Sequence, residues 1–328
     1  MKMKKALALI MTASMSFATL TGCSRTTNNY MKELNKISQW KATSTETNGS
    51  INVEAKGISH NISFTSTGYA SGNKLHSDIK FTDESGMFNI PEMEMYAEGS
   101  TAYINKSYYE GLFTLMGEPI PEGLKNVNAQ YIAIDTGMKT DELKSMIVDT
   151  DALLKLSQSV FGDSDIDLPY VQNEREYTIN LDSDQIVDFG VSGINAICNN
   201  LDNVNSTFKL GLTAEAVKEV KNQVTTEEFE KGIASVKDAI NGSTVSKKEV
   251  FEDSKYSCDY DILIKVKDLC EVNITSNGTS TKAEVKDITM PTSVAKFTQE
   301  QMSQLFISEQ QTAVGNSALA KVIEKAVD

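Results

Sequence analysis

The stretch that decides the fold class of this chain is Tyr256-Ser257-Cys258-Asp259-Tyr260-Asp261-Ile262-Leu263-Ile264-Lys265-Val266-Lys267. Its even-numbered positions are all apolar or aromatic, and most of its odd-numbered positions are aspartate or lysine. Successive side chains of a β-strand point to opposite faces of the sheet. The alternation therefore predicts a strand with one apolar and one solvated face, as is typical of antiparallel sheets.

The same alternation recurs along the chain and predicts further half-buried strands. Their apolar positions are Ile51, Val53 and Ala55; Leu75, Ile79 and Phe81; Met93, Met95 and Ala97; Tyr177, Ile179 and Leu181; and Val272 and Ile274. Gly68, Ser71-Gly72-Asn73 and Asn277-Gly278 have turn composition, so we expect hairpin turns there, the last one leading into a strand at 283–285. The strands between residues 51 and 97 form one group, and those between residues 256 and 285 form a second. Each group is therefore predicted to be a meander.

Helical spacing separates the strand groups. It covers Tyr30–Trp40, Thr140–Phe161, a segment from Ser183 to Cys198, Thr213–Ile240, and about Thr298–Val327. Asp182 is a suitable N-cap for the third of these, and Thr226 supplies a second cap that would divide the fourth. Strand groups that alternate with helices in this order predict an α+β fold, a sheet with helices against one face.

The N-terminus has the layout of a secretory signal peptide, with lysines at positions 2, 4 and 5 followed by an apolar core, Ala6–Thr19. The core is shorter than the ~20 residues that a membrane span requires. Its ending, Leu20-Thr21-Gly22-Cys23, resembles the lipobox of bacterial lipoproteins, and a plain secretory cleavage site would not need the cysteine. The resemblance implies removal of residues 1–22, acylation of Cys23 (including palmitate), and a tether at residues 23–29. The expected location is extracytoplasmic and lipid-anchored in the cell membrane.

Charge excludes some partners. Removal of residues 1–22 would take away three of the 31 basic residues and none of the 45 acidic ones, so the formal net charge would change from −14 to −17. Such a chain has no basic run to neutralise phosphates, so nucleic acid is not an expected partner. The lipid on Cys23 is then the expected membrane contact.

Cysteine usage predicts no disulfide framework. Cys198, Cys258 and Cys270 follow Cys23, so an odd number remains within the mature chain. If the strand that contains Cys258 were continuous to Cys270, the two would lie roughly 40 Å apart, far beyond the Cα separation of ~4.4–6.8 Å in a disulfide. We expect buried thiols.

Two further segments suggest a family. Glu98-Gly99-Ser100-Thr101-Ala102-Tyr103-Ile104 and Ala283-Glu284-Val285-Lys286-Asp287-Ile288, with Pro291 after it, resemble the turn-and-strand and the last strand of the LolA-like superfamily of lipoprotein carriers and the LppX/LprG-type lipid-binding lipoproteins. The resemblance covers a domain at residues 30–297, with a long helical insert at about 183–242, before a C-terminal helix at 298–328. It implies a curved antiparallel sheet, an incomplete barrel, with helices packed on its concave face.

Members of this family hold acyl chains between sheet and helices. The resemblance implies that this chain binds or carries a lipid or another hydrophobic molecule, with a lining drawn from the apolar faces of its strands. The candidates are Ile79, Phe81, Met93, Met95, Tyr260, Ile262 and Ile264. A dry core would show the same apolar faces, and apolar stripes are more often core than cavity. A structural lipoprotein of the cell envelope with a solid core and a protein partner is therefore the alternative function.

Signatures of catalysis and metal binding do not stand out. His60 and His76 lie in no zinc-binding pattern, Gly190-Val191-Ser192-Gly193 departs from a nucleophile elbow, and no phosphate-binding loop occurs. We therefore expect no enzyme, no catalytic residue, no cofactor and no metal, with His76 on the surface. Asp163, Asp165, Asp167 and Glu174 have EF-hand-like spacing, but Leu168 replaces the required glycine, so a solvated acidic loop is expected and weak calcium binding is the alternative.

Overall fold

The computed structural model describes residues 25–55, 57–135, 160, 168–208, 211–298, 301–302 and 305–306. The described helices are α1 (Arg25–Ser38), α2 (Lys106–Leu115), α3 (Glu122–Lys125), α4 (Ser183–Asn199), α5 (Leu201–Phe208), α6 (Ala214–Gln223) and α7 (Glu227–Ala239). The strands are β1 (Ala42–Ala55), β2 (Ile58–Ser71), β3 (Lys74–Asp83), β4 (Met93–Glu98), β5 (Thr101–Asn105), β6 (Tyr131–Asp135), β7 (Val171–Asn173), β8 (Glu176–Asp182), β9 (Thr244–Phe251), β10 (Lys255–Val266), β11 (Cys270–Lys282) and β12 (Val294–Phe297).

The twelve described strands form one open sheet in the order β12-β6-β5-β4-β3-β2-β1-β11-β10-β9-β8-β7. The α+β class and an open sheet are therefore confirmed. The prediction of an entirely antiparallel sheet is wrong, because β12 pairs in parallel with β6. The segment between β11 and β12 runs from the middle of the sheet to its edge, where β12 enters beside β6 in the same direction as β6. Curvature, and helices on a concave face, stay predictions.

Contacts group the chain into two units. Unit 1 contains residues 1–39, 145–251 and 261–267, and unit 2 contains residues 40–144, 252–260 and 268–328. In unit 2, apolar side chains of β6 and α3 form a core with partly buried aromatic residues of α2. Its buried members are Leu124, Val127, Ile132 and Met302. In unit 1, the largest side chains with almost no exposure are Tyr177, Phe251 and Glu249.

The deciding stretch forms β10 as predicted, but two predicted turns are wrong. Gly68 lies within β2, where Thr45 and Ser77 pair with it on either side. The β1–β2 hairpin turns instead at Gly57, whose φ of 80° is a conformation that glycine adopts without steric cost. The turn predicted at Ser71-Gly72-Asn73 is confirmed as the β2–β3 hairpin.

Asn277-Gly278 is the other wrong turn, since both residues lie within β11 and pair with Asn48 and Thr47 of β1. Twelve residue pairs join β1 to β11, and this long pairing outweighs the local turn preference of two residues. The turn after β10 lies at Lys267–Leu269, with Asp268 at φ 60°. The continuous strand assumed between Cys258 and Cys270 therefore does not exist. Among the described residues, Cys198, Cys258 and Cys270 form no disulfide.

The strand predicted at 283–285, which the family resemblance extends to residue 288, is also wrong. These residues form no strand and Val285 is 64% exposed. The segment is fixed instead by side chains of β2 and β3: the Tyr69 hydroxyl donates to the carbonyl of Glu284 (2.6 Å), and Lys74 Nζ donates to Asp287 (2.8 Å). The segment 98–104 does form the predicted turn and strand, in the β4–β5 hairpin.

The helical predictions are confirmed where the structure describes them. Asp182 forms a capping box with Gln185 at the start of α4, and Thr213 and Thr226 cap α6 and α7. Helix α1 begins at Arg25, earlier than expected, so most of the tether predicted at 23–29 is helical. The following predicted segments lie outside the described residues: the signal peptide, Cys23, residues 140–159 and 161 of the second predicted helix, Asp163, Asp165, Asp167 and nearly all of the C-terminal helix.

Among the described helices, none combines the length and the apolar composition that crossing a bilayer would take.

Candidate functional site

A buried carboxylate fixes helix α1 to the rest of unit 1. Glu249 of β9 is 1% exposed. Its Oε1 accepts a hydrogen bond from the Tyr30 hydroxyl of α1 (3.1 Å), and its Oε2 accepts one from the Tyr170 hydroxyl (2.6 Å) and pairs with Lys247 Nζ (2.8 Å). We call Tyr30, Tyr170, Lys247 and Glu249 the Glu249 cluster. Lys247 and Glu249 are two residues apart on β9, so the strand presents both on one face.

The electrostatics of the cluster favour a fixed arrangement. A buried carboxylate is tolerated when a countercharge and hydrogen-bond donors compensate for its lost hydration, and this one has both. Burial, together with the neighbouring Tyr30 and Glu249, raises the pKa of Tyr170 far above its ordinary value. The Tyr170 hydroxyl therefore keeps its proton and stays a hydrogen-bond donor at physiological pH.

Aromatic rings surround the polar contact. The Tyr30 ring lies 4.6 Å from that of Tyr170, 5.3 Å from that of Tyr177 and 5.8 Å from that of Phe251. The last two contacts are edge-on, an arrangement that the charge distribution of aromatic rings favours. Tyr177 lies directly opposite Glu249 in the β8–β9 pairing, so sheet register brings rings and carboxylate together.

A second ion pair holds the next turn of α1. Arg175 donates from Nη2 (2.7 Å) and Nε (3.1 Å) to Glu33, which also pairs with Lys36 (2.8 Å). Burial acts to raise the pKa of Glu33, but the hydrogen bonds and charges of Lys36 and Arg175 outweigh it and hold that pKa below its ordinary value. Asn29 adds a side-chain hydrogen bond to Gln172 (3.1 Å).

These contacts fix α1 close to the predicted lipidation site. Only two peptide links separate Cys23 from Arg25, the first described residue of α1. Tyr30 and Glu33 bind the first half of α1 to the rest of unit 1. An acyl chain on Cys23 would therefore be attached next to a helix that is fixed to the folded protein.

The predicted ligand-binding residues separate into two sets. Ile79 and Phe81 of β3 and Met93 and Met95 of β4 lie in unit 2, are half-buried and share one face, with Ile79 directly opposite Met93. The structure thus brings these four together. The remaining three are on β10: Tyr260 (38% exposed) belongs to unit 2, and Ile262 and Ile264 (40% exposed) belong to unit 1.

Sequence reasoning missed a neighbour of the first set. Phe64 of β2 lies opposite Phe81, with ring centroids 6.4 Å apart, and opposite Gly49 of β1 on its other side. A Cβ on Gly49 would lie 2.4 Å from the Phe64 ring, so the ring occupies the space that the glycine leaves. The alternation of Ile62 and Phe64 with polar residues was the sequence signal for this position.

An open surface depression of about 450 Å³ lies beside α6. The residues around it are polar or charged: Glu215, Lys218, Glu219, Asn222, Gln223 and Thr226. An open, polar depression does not remove an alkyl chain from water. It therefore does not support the lipid-binding prediction.

No protein-family model matches the sequence, and the search of curated proteins finds no match either. The lipobox and LolA-like resemblances therefore stay predictions.

Unit 2 holds a second polar cluster, on the opposite face of β3 and β4 from Ile79 and Met93. The Tyr96 hydroxyl donates to Glu94 Oε1 (2.8 Å) and the Tyr131 hydroxyl to Oε2 (2.5 Å). Burial acts to raise the pKa of Glu94, but hydrogen bonds from Tyr131, Tyr96 and His76 lower it overall. Burial and Glu94 raise the pKa of Tyr96 to about 12. Among the described residues, His76, Asp78 and Glu94 could together hold a metal ion.

The other residues singled out from the sequence take no part in these clusters. The His60 ring lies 5.3 Å from that of Phe88, and its Nδ1 is buried with no hydrogen-bond partner among the described residues. The Ser192 hydroxyl donates to the carbonyl of Asp188 within α4. Of the proposed calcium ligands, only Glu174 is described; it is exposed, in the turn between β7 and β8 with φ 53°.

Proposed function

We propose that this protein is a non-enzymatic, extracytoplasmic lipoprotein held to the cell membrane by a lipid on Cys23. The observation that carries the proposal is the lipobox-like ending Leu20-Thr21-Gly22-Cys23. Helix α1, described from Arg25 onward, is bound to the rest of unit 1 by Tyr30 and Glu33. Two or more acyl chains suffice for stable anchoring. A helix fixed this close to the anchor would keep unit 1 next to the membrane surface.

Metabolic labelling tests the anchor. The full chain is expressed in a bacterial host fed a labelled palmitate, and Cys23→Ser is compared with Cys270→Ser, which removes a free thiol elsewhere. We expect label and membrane fractionation for the natural chain and for Cys270→Ser, and loss of both for Cys23→Ser. Label that persists in Cys23→Ser, or a natural chain without label, would contradict the proposal.

The face shared by Ile79, Phe81, Met93 and Met95 favours a hydrophobic ligand as the cargo. These side chains are only half-buried, and methionine adapts its shape to a flexible ligand. Each CH₂ group of an alkyl chain that such a face covers would contribute ~0.8 kcal/mol. The curved sheet with helices on its concave face, which the family resemblance implies, would enclose such a ligand.

Native mass spectrometry of the chain without its anchor cysteine tests this cargo. We expect co-purifying lipid, and less of it in Ile79→Glu than in Val285→Glu, which places the same charge at an exposed position outside the sheet. A clean apo mass, with one envelope protein captured consistently by cross-linking, would instead favour the alternative, an interaction lipoprotein with a solid core.

A further inference from the structure

Three potential metal ligands converge on one face of unit 2. His76 and Asp78 are two residues apart on β3, so both point to the same face of the sheet. Glu94 of β4 lies directly opposite Asp78, and Tyr96 lies opposite His76. Strand periodicity and register together place one imidazole and two carboxylates within reach of a single ion. This arrangement does not depend on the anchor or on the cargo proposed above.

The distances match a metal coordination shell. His76 Nε2 lies 3.3 Å from Glu94 Oε1 and 3.6 Å from Asp78 Oδ2, and all three ligand atoms lie within 4.8 Å of one another. With Zn–N and Zn–O bonds of about 2.0–2.1 Å, neighbouring ligand atoms of a tetrahedron lie about 3.3–3.4 Å apart. Small side-chain shifts would therefore complete the shell.

The surrounding residues hold these ligands in place. The Glu94 carboxylate is oriented by the hydroxyls of Tyr96 and Tyr131, one on each oxygen. The backbone N–H of Glu94 donates to the Asn105 side chain (2.9 Å). The His76 ring stacks on the Tyr96 ring, with centroids 4.3 Å apart and an angle of 28° between the planes. Hydrogen bonds that orient a ligand in this way are typical of protein metal sites.

We propose that His76, Asp78 and Glu94 bind a divalent transition-metal ion of the zinc class. An imidazole ligand favours such ions over calcium or magnesium, which prefer oxygen alone. Three protein ligands leave a fourth position for water or for a donor from another molecule. The His76 and Glu94 side chains are 30% and 33% exposed, so an ion can reach them from solvent.

Calorimetric titration of the untagged full chain with Zn²⁺, in the presence of excess Mg²⁺, tests the site. The chain has only two histidines, so His60→Gln is a matched control for His76→Gln. We expect one Zn²⁺ per chain, a loss of at least about 100-fold in affinity for His76→Gln, and less than about 3-fold for His60→Gln. A chain that does not bind Zn²⁺, or equal losses in both variants, would overturn the proposal.

A second, milder variant tests the site without removing a ligand, in case His76→Gln does not fold. Tyr131→Phe leaves all three ligands and removes one hydroxyl that orients Glu94. Removal of such an orienting group typically costs about 10-fold to 100-fold in metal affinity. We expect a loss in this range with unchanged circular dichroism. An affinity equal to that of the natural chain would show that Glu94 is not a ligand and would overturn the three-ligand site.

Discussion

Replacement of Tyr30 by phenylalanine tests how α1 is held. The variant keeps the three ring contacts of Tyr30 and removes its hydroxyl donor to Glu249. A hydrogen bond to a charged group contributes about 1.5–3 kcal/mol. Because Glu249 is 1% exposed, water does not easily replace the lost donor, so we expect the upper part of that range, about 2–3 kcal/mol.

Hydrogen–deuterium exchange of peptides from Arg25–Ser38 measures this loss locally. When exchange follows the opening equilibrium, 2–3 kcal/mol corresponds to exchange about 30-fold to 150-fold faster in α1. Tyr108→Phe removes a phenolic hydroxyl from α2, in unit 2, and should leave the exchange rates of α1 unchanged. If Tyr30→Phe accelerates exchange no more than Tyr108→Phe does, the Glu249 cluster does not hold α1 and the reasoning is refuted.

Two further predictions concern stability. Gly111→Ala should destabilise the protein by about 1–3 kcal/mol, because the new Cβ would lie 2.5 Å from Pro91. Gly232→Ala places its Cβ in open space, so this variant should be neutral or stabilise the protein by up to about 1 kcal/mol. Urea unfolding measures both free energies of unfolding, and changes of the same sign and size in the two variants would contradict this expectation. Hydrogen bonds from the Ser85 hydroxyl and the Phe88 N–H hold the pKa of Asp83 below its ordinary value, so its ionised form stabilises the fold above about pH 4, and that contribution is lost as pH falls further. Asp83→Asn should therefore be less stable than the natural chain at pH 7 and similar to it near pH 2.5. An equal difference in the free energy of unfolding at both pH values would argue against this role of the Asp83 carboxylate.

Local sequence predicted those elements whose signals are local. The alternation from Tyr256 onward needs only the pleat of a strand, and the caps at Asp182 and Thr226 need only a side chain and a nearby N–H. The turns expected at Gly68 and Asn277-Gly278 failed for a different reason. Both segments have partner strands on both sides. For Asn277-Gly278 one partner is β1, far earlier in the chain; for Gly68 the partners are the adjacent strands β1 and β3, whose length carries the pairing past the glycine.

The buried site could not be predicted for the same reason. Lys247 and Glu249 lie in a charged stretch that is typical of a solvated strand face. Glu249 is buried because Tyr30, 219 residues earlier, covers it. The metal-binding hypothesis did have a sequence signal, His76-x-Asp78 on one strand and Glu94 on the next. Placing His76 on the solvated face of β3 was compatible with this site, but which residues lie opposite requires the register.

The pairing of β1 with β11 has a consequence for the order in which the chain folds. The β1–β5 meander needs only neighbouring strands, but the second partner of β1 begins at Cys270. A chain delivered with its N-terminus first must therefore expose one edge of β1 until more than four-fifths of its 328 residues have emerged. Strand pairs so distant in sequence form slowly, and an open edge invites pairing with other chains. Most side chains of β1 are serine, threonine, asparagine or glutamate, so that edge strand is largely polar while its partner is still being supplied.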